Sequence, residues 1–208
     1  MPAYLTHRLA AVEAKNKIEN SDIQKILTDY EQTYYGGAQG GDFAFFRKWY
    51  FLGFHTKTKI YGGWLAHRAR VGIYMKVALE YVKEHFTPSL CAYFFGYINH
   101  YCMDRYMHYE VNAETKSISY HTYIEQAVDV MYAKDHFDID ALTFNRGNDI
   151  DKIVENSDCK EIDAFHEYMA SAIYDGYKLT PDAYGDSMKY WGKFMHYIDE
   201  ADDKKMRI

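Results

Sequence analysis

The chain has 208 residues, a formal net charge of −6 and 48% hydrophobic residues, which suits one domain with a sizeable core. Its 24 Lys and Arg are outnumbered by 30 Asp and Glu and form no basic run beyond a short tail, which argues against stable gripping of nucleic acid along its backbone. Cys91, Cys102 and Cys159 are few, odd in number and not in C-x-x-C spacing, which argues against a disulfide framework or a Cys-based zinc site.

The first segment, MPAYLTHRLAAVEAKNK, brings in His7 and Arg8 before any apolar run forms. No secretory leader is expected, and the chain reads as a protein of the reducing cytoplasm. Leu9, Val12 and Ile18, then Ile23, Leu27 and Tyr30, recur at three-to-four spacing and predict helices. GGAQGGD at 36–42 predicts a glycine loop ending on Asp42, and YGG at 61–63 predicts another. Helical spacing returns in Val71, Tyr74, Met75, Ala78, Leu79 and Val82. Thr87-Pro88 and Thr180-Pro181 each predict an N-cap followed by a first helical residue, because proline lacks the amide hydrogen that would be unpaired there. They place one helix over about 88 to 109 and another over about 181 to 200.

The apolar run SLCAYFFGYIN at 89–99 is about half the length a bilayer crossing needs, so a buried helix is expected and no transmembrane segment. VNAETKSISY, 111–120, predicts a polar connection. Alternating β-branched patterns and fixed-period repeats are missing from the sequence, so the fold class expected is all-α, a single-domain bundle of long helices over 1–208. The 22 Tyr and 12 Phe are read chiefly as core rings with hydroxyls at the rim.

His100, Asp104 and His108 recur every fourth residue, and His121 and Glu125 repeat the spacing beyond the connection. Residues four apart in a helix drift only about 40° around its axis, so each set forms one stripe. Imidazole and carboxylate are ligands that Zn²⁺ prefers, and two facing stripes could supply five of them. The competing reading is a Tyr-rich core whose histidines are merely hydrogen-bonded to neighbours. Asp163 and His166 also lie at i, i+3, the spacing of carboxylate-bridged di-iron bundles, but one acid–imidazole pair without its twin and without partner Glu residues is poor support for that fold, and His166 is read as a surface or capping residue.

Taken in chain order, His7, Asp42, His67, the His100-x-x-x-Asp104-x-x-x-His108 helix and His121-x-x-x-Glu125 resemble the zinc-dependent phospholipase C family. This is the family of the three-zinc bacterial phospholipases, with the fungal single-strand nucleases as distant relatives; the likeness is strongest to the leaderless bacterial branch and covers about residues 1–130. The resemblance implies a bundle of the phospholipase C and zinc nuclease type. It implies zinc held by His67, His100 and Asp104, a second ion held by His108, His121 and Glu125, and a third held by His7, a shared oxygen of Asp104 and the amine of Pro2. Asp42 would sit against the first ion as a ligand or as the catalytic base orienting water. Two or three zinc ions are thus expected. His55 competes with His67 for the first ion, and Pro2 must replace the processed N-terminal tryptophan of secreted members, so both assignments stay open.

The activity implied is phosphodiester hydrolysis by metal-activated water, with a phospholipid headgroup or small phosphodiester as substrate. The alternative is a non-catalytic helical interaction module holding one structural zinc or none. A phosphohydrolase of the HD type is disfavoured, since no His is followed directly by Asp.

Overall fold

The computed structural model describes residues 4–46, 71–114, 117–173, 179 and 181–206. Pro2, His55, His67 and the glycines at 62 and 63 lie outside the described residues.

Among the described residues the chain is helical and without strands, in agreement with the all-α expectation. The order is α1 (Tyr4–Asn16), α2 (Ser21–Asp29), α3 (Glu31–Gly37), a 3-10 turn (Asp42–Phe46), α4 (Val71–Glu84), α5 (Pro88–Glu114), α6 (Ile118–Phe137), α7 (Arg146–Asn156), α8 (Cys159–Ile173) and α9 (Ala183–Met206). None of these helices is long and apolar enough to cross a membrane.

Local chemistry explains several boundaries. Thr87 caps α5 as its Thr-Pro signature predicts: its Oγ1 accepts from Leu90 N at 3.0 Å. Asn20, Ser117 and Asn145 cap α2, α6 and α7 through their side-chain oxygens. Two expectations shift. The connection predicted over 111–120 is shorter, because α5 continues to Glu114 and Ser117 starts α6 at Ile118. At the second Thr-Pro, the helix begins at Ala183, two residues past Pro181. Asp182 takes a left-handed φ of 65°, and the first amides of α9 are satisfied from another helix: Asp163 of α8 accepts from Tyr184 N at 2.5 Å.

One apolar cluster runs through most elements, from Tyr4 and Ala11 on α1, past Tyr34 on α3 and Tyr93 on α5, to Ile150, Phe165 and Trp191 on α7, α8 and α9. Trp191 stacks on Phe46 with ring centroids 4.5 Å apart and meets Tyr4 edge-on at 5.6 Å. Such pairs contribute about 0.5–1.5 kcal/mol beyond the area they bury. Helix α6 stands outside this cluster. Its apolar side packs through a smaller one, in which Ala133 meets Leu5 and Leu9 of α1.

Helices α3 and α5 cross at glycines. A Cβ on Gly96 would lie 2.1 Å from the Tyr34 carbonyl oxygen, so only glycine admits that approach. The crossing brings the chain after α3 down onto the side of α5 that carries His100. The glycine loop read from the sequence is therefore partly helix: Gly36 and Gly37 end α3, and only the residues that follow turn toward Asp42.

Candidate metal centre

Four elements converge: α1 with His7, the 3-10 turn with Asp42, α5 with His100, Asp104 and His108, and α6 with His121 and Glu125. Stripe geometry alone places the α5 and α6 residues on two faces. Bringing those faces together with His7 and Asp42 is the work of tertiary packing.

The Asp104 carboxylate occupies the middle. Its Oδ1 lies 3.2 Å from His7 Nε2 and 3.5 Å from His108 Nδ1, and its Oδ2 lies 3.3 Å from His100 Nε2. On the far side, Glu125 Oε1 stands 2.9 Å from His121 Nε2 and 3.3 Å from His108 Nε2. Two sets of donor atoms are each gathered within 4.8 Å: His7, Asp42 and His100, all buried, and His108, His121 and Glu125. A cavity of about 20 Å³, near the size needed for one small solvent molecule, lies between them against His7, Asp104, His108 and Glu125.

The imidazoles are oriented by backbone. His100 Nδ1 lies 3.2 Å from the Ala38 carbonyl, and His108 Nδ1 lies 3.0 Å from the carbonyl of Asp104. With each Nδ1 protonated and donating to its carbonyl, Nε2 is the atom turned to a carboxylate: it donates there when the ring is imidazolium, and its lone pair is open to a cation when the ring is neutral; the protonation states are inferred from these partners. Gly40, with φ of 54°, lies so close to the His100 ring that a Cβ there would come within 2.0 Å of it. The ring is thereby clamped between the turn after α3 and the body of α5.

Charge follows geometry. Burial works against ionisation of Asp104, but the charge of His100 and the hydrogen bonds from His100 and His7 hold its carboxyl well below the usual carboxylate range. Burial likewise disfavours a charged His7, yet the hydrogen bond and charge of Asp104 outweigh it and raise the imidazole. The hydrogen bond to Glu125 raises His108 despite partial burial. Three carboxylates packed among four imidazoles therefore call for positive charge, whether as imidazolium or as bound cation. The centre also has a direction: the His7 side chain is 5% exposed, whereas His108 is 31% exposed. Solvent reaches it from the His108–His121 side.

Seven of the residues singled out in the sequence, His7, Asp42, His100, Asp104, His108, His121 and Glu125, come together here. Pro2 and His67 are outside the described residues. Asp42 groups with His7 as well as with His100, so the separate third-ion set implied by the resemblance is less distinct in space than in the motif.

The sequence reading missed Asp129, four residues past Glu125 on the same stripe of α6 and only 9% exposed. Its signal was the continuation of the His121–Glu125 spacing. His166 requires a correction. It is buried in the aromatic core at 5% exposure, with Nε2 2.6 Å from the Tyr93 hydroxyl and Phe43 edge-on at 4.6 Å, and it is neither a surface nor a capping residue. The capping role falls to Asp163. The spacing could not reveal this, because a helix of mixed polarity leaves its buried face undecided.

Compared with protein-family models, with curated proteins and with solved structures, the chain has no significant match in any of the three.

Proposed function

We propose that the chain is a zinc-dependent phosphodiester hydrolase similar to phospholipase C. The observation that carries the reading is Asp104, whose two carboxylate oxygens face three imidazoles from two helices while donor triads gather on either side. A carboxylate shared in this way fits two adjacent divalent ions, because it lowers their mutual repulsion and holds them at a set separation.

The donor set fits zinc. Four imidazoles with three carboxylates match its nitrogen and oxygen preference, and His7 Nδ1 is a buried atom without a hydrogen-bond partner among the described residues. His7, Asp42 and His100 would hold one ion with Asp104; His108, His121 and Glu125 would hold a second. His67 and the Pro2 amine belong to the proposal on the strength of the motif alone. Zinc at such a site supplies Lewis acidity toward phosphoryl oxygens and a water acidified toward neutrality.

The chain's own residues then do the following. The Ala38 and Asp104 carbonyls fix the rings of His100 and His108, Asp104 stays ionised, and Asp42 acts as ligand or as the base that orients water. The more exposed His108–His121 edge admits the phosphodiester. A small phosphodiester or a phospholipid headgroup fits that entrance, whereas the acidic chain disfavours long nucleic acid. Action in the cytoplasm is part of the same proposal. The second reading, a helical module with one structural zinc, draws on the deeply buried His7–Asp42–His100 set, since closed sites are the structural ones.

Elemental analysis with a phosphodiesterase assay on bis(p-nitrophenyl) phosphate separates the two. Two or three zinc ions per chain, removed by chelation together with activity, is the expected result. A protein that carries no metal, and melts at the same temperature before and after chelation, would overturn the proposal. One retained zinc without hydrolysis would favour the structural module.

A further inference from the structure

Among the described residues, helix α6 carries His121 and Glu125 yet stands outside the main core, and it meets α1 through the Leu5–Leu9–Ala133 cluster and through side-chain hydrogen bonds. Asp129 supplies three more. Its Oδ1 accepts from Thr6 N at 2.7 Å and from Thr6 Oγ1 at 2.7 Å, and its Oδ2 accepts from Leu5 N at 3.2 Å. These amides lie in the first turn of α1, where an α-helix has no internal partner for its N–H groups. The cap on α1 is thus a carboxylate from a helix more than a hundred residues away.

The arrangement has a directional consequence. Thr6 immediately precedes His7, and Asp129 lies one turn below Glu125. Thr6 and Val128 line the same cavity as His7 and Glu125. The three bonds therefore set the angular position of His7 on α1 and its distance from the His121–Glu125 stripe together. A negative group at this end also complements the α1 dipole, which a neutral side chain would do less well.

We infer that Asp129 is a positioning residue that locks His7 of α1 in register with the His121–Glu125 stripe of α6, so that the two donor sets close around a common centre. The inference rests on the proposed metal site for its functional meaning, but the lock is a property of the chain alone. Asp129 holds no metal in this scheme and acts through its bonds to the first turn of α1.

The test uses full-length protein, zinc titration against a chromogenic chelator, and NMR on the metal-stripped form. Asp129→Asn keeps the shape but turns an amide nitrogen toward one donor. Its zinc affinity should fall by about 10–100-fold, as losses of supporting hydrogen bonds around ligands do. In a His7→Ala background the same change should cost less than about threefold, because the route runs through His7. In the metal-stripped protein the NOE between the His7 and His100 rings, whose centroids are 4.3 Å apart, should disappear in Asp129→Asn. Thr6→Val removes one of the three bonds and should show the same pattern at a few-fold loss; it carries the test where Asp129→Asn does not fold.

Unchanged affinity with a retained NOE would overturn the inference. So would an equal loss in the His7→Ala background, since Asp129 would then act on stability at large. A wild-type chain that takes up no zinc refutes the hydrolase reading instead, and the NOE alone then decides the lock.

Discussion

His100 and His166 are equally buried, and each belongs to an acid–imidazole pair at helical spacing, yet they end in opposite environments. Around His100 the carboxylate turns inward: Asp104 faces three imidazoles, and two of them, His100 and His7, hold it ionised. Around His166 the carboxylate turns away: Asp163 takes the amides of Tyr184 and Gly185, and the imidazole is left with the neutral Tyr93 hydroxyl amid Phe43, Tyr97 and Tyr184. Burial then pushes His166 down to about 3, while Asp104 raises His7. What separates a candidate ligand from a core residue is therefore the direction of the nearest carboxylate, and neither residue type nor burial reveals it.

The sharpest way to break this contrast is to neutralise its pivot. Asp104→Asn should lower zinc affinity by on the order of 10²-fold or more, beyond the effect of supporting residues, because it would remove the proposed shared ligand. Chelator competition would measure it, and unchanged zinc content in the variant would sink the role of Asp104.

His166→Phe should leave zinc content intact and cost about 1–3 kcal/mol at pH 7, since the Tyr93 hydroxyl loses its buried partner. Its pH dependence carries more information. Below pH 6.5 an unfolded imidazole binds a proton that folded His166 does not take until about pH 3, so the stability owed to neutral His166 is full above 6.5 and drains away toward 3. Asp163, pushed up to about 6 by burial, has the opposite slope between its ordinary 3.8 and 6. Removing His166 removes only the first slope. The stability gap between wild type and His166→Phe should thus shrink by about 1.4 kcal/mol per pH unit below 6.5, as read from urea melts. A gap that does not change with pH would mean that His166 is not held neutral.

The donor cluster should behave in reverse once stripped of metal. Glu125 raises His108, so its folded pKa lies above the unfolded value, and its contribution is full below about pH 6.5 and lost as the pH rises through the folded pKa. Chelator-treated wild type should lose up to about 1 kcal/mol over that rise, an amount kept small by solvent screening at a partly exposed ring. His108→Gln should flatten the profile in thermal melts.

The smallest effect is expected at His136, which pairs with Glu13 at 3.0 Å on the surface and stacks on Tyr132. His136→Ala should change stability by less than about 0.5 kcal/mol and zinc content not at all. A change in zinc binding there would show that histidines outside the His7, His100, His108 and His121 cluster take part.

Much of the α5 and α6 geometry was legible beforehand. Thr87-Pro88 gave the start of α5, and four-residue spacing put His100, Asp104 and His108 on one face, because a helix makes both statements local. The second Thr-Pro misled by two residues: the helix begins at Ala183, where Asp163 of α8 accepts from the Tyr184 amide, and Thr180 lies outside the described residues. His166 was misjudged for a related reason: local spacing does not say which face meets Phe43 and Tyr93.

By itself, then, the sequence determined the all-α class, the two stripes of His, Asp and Glu, and the presence of residue types able to hold zinc, all of which depend on contacts within a few residues along a helix. Tertiary structure decided which stripes face one another, that Asp42 joins His7 and His100, that Asp104 stands between two donor sets, and that Asp129 ties α1 to α6. These depend on helix crossings such as that of α3 and α5 at Gly96, where close backbone approach is set by packing between segments distant in the chain.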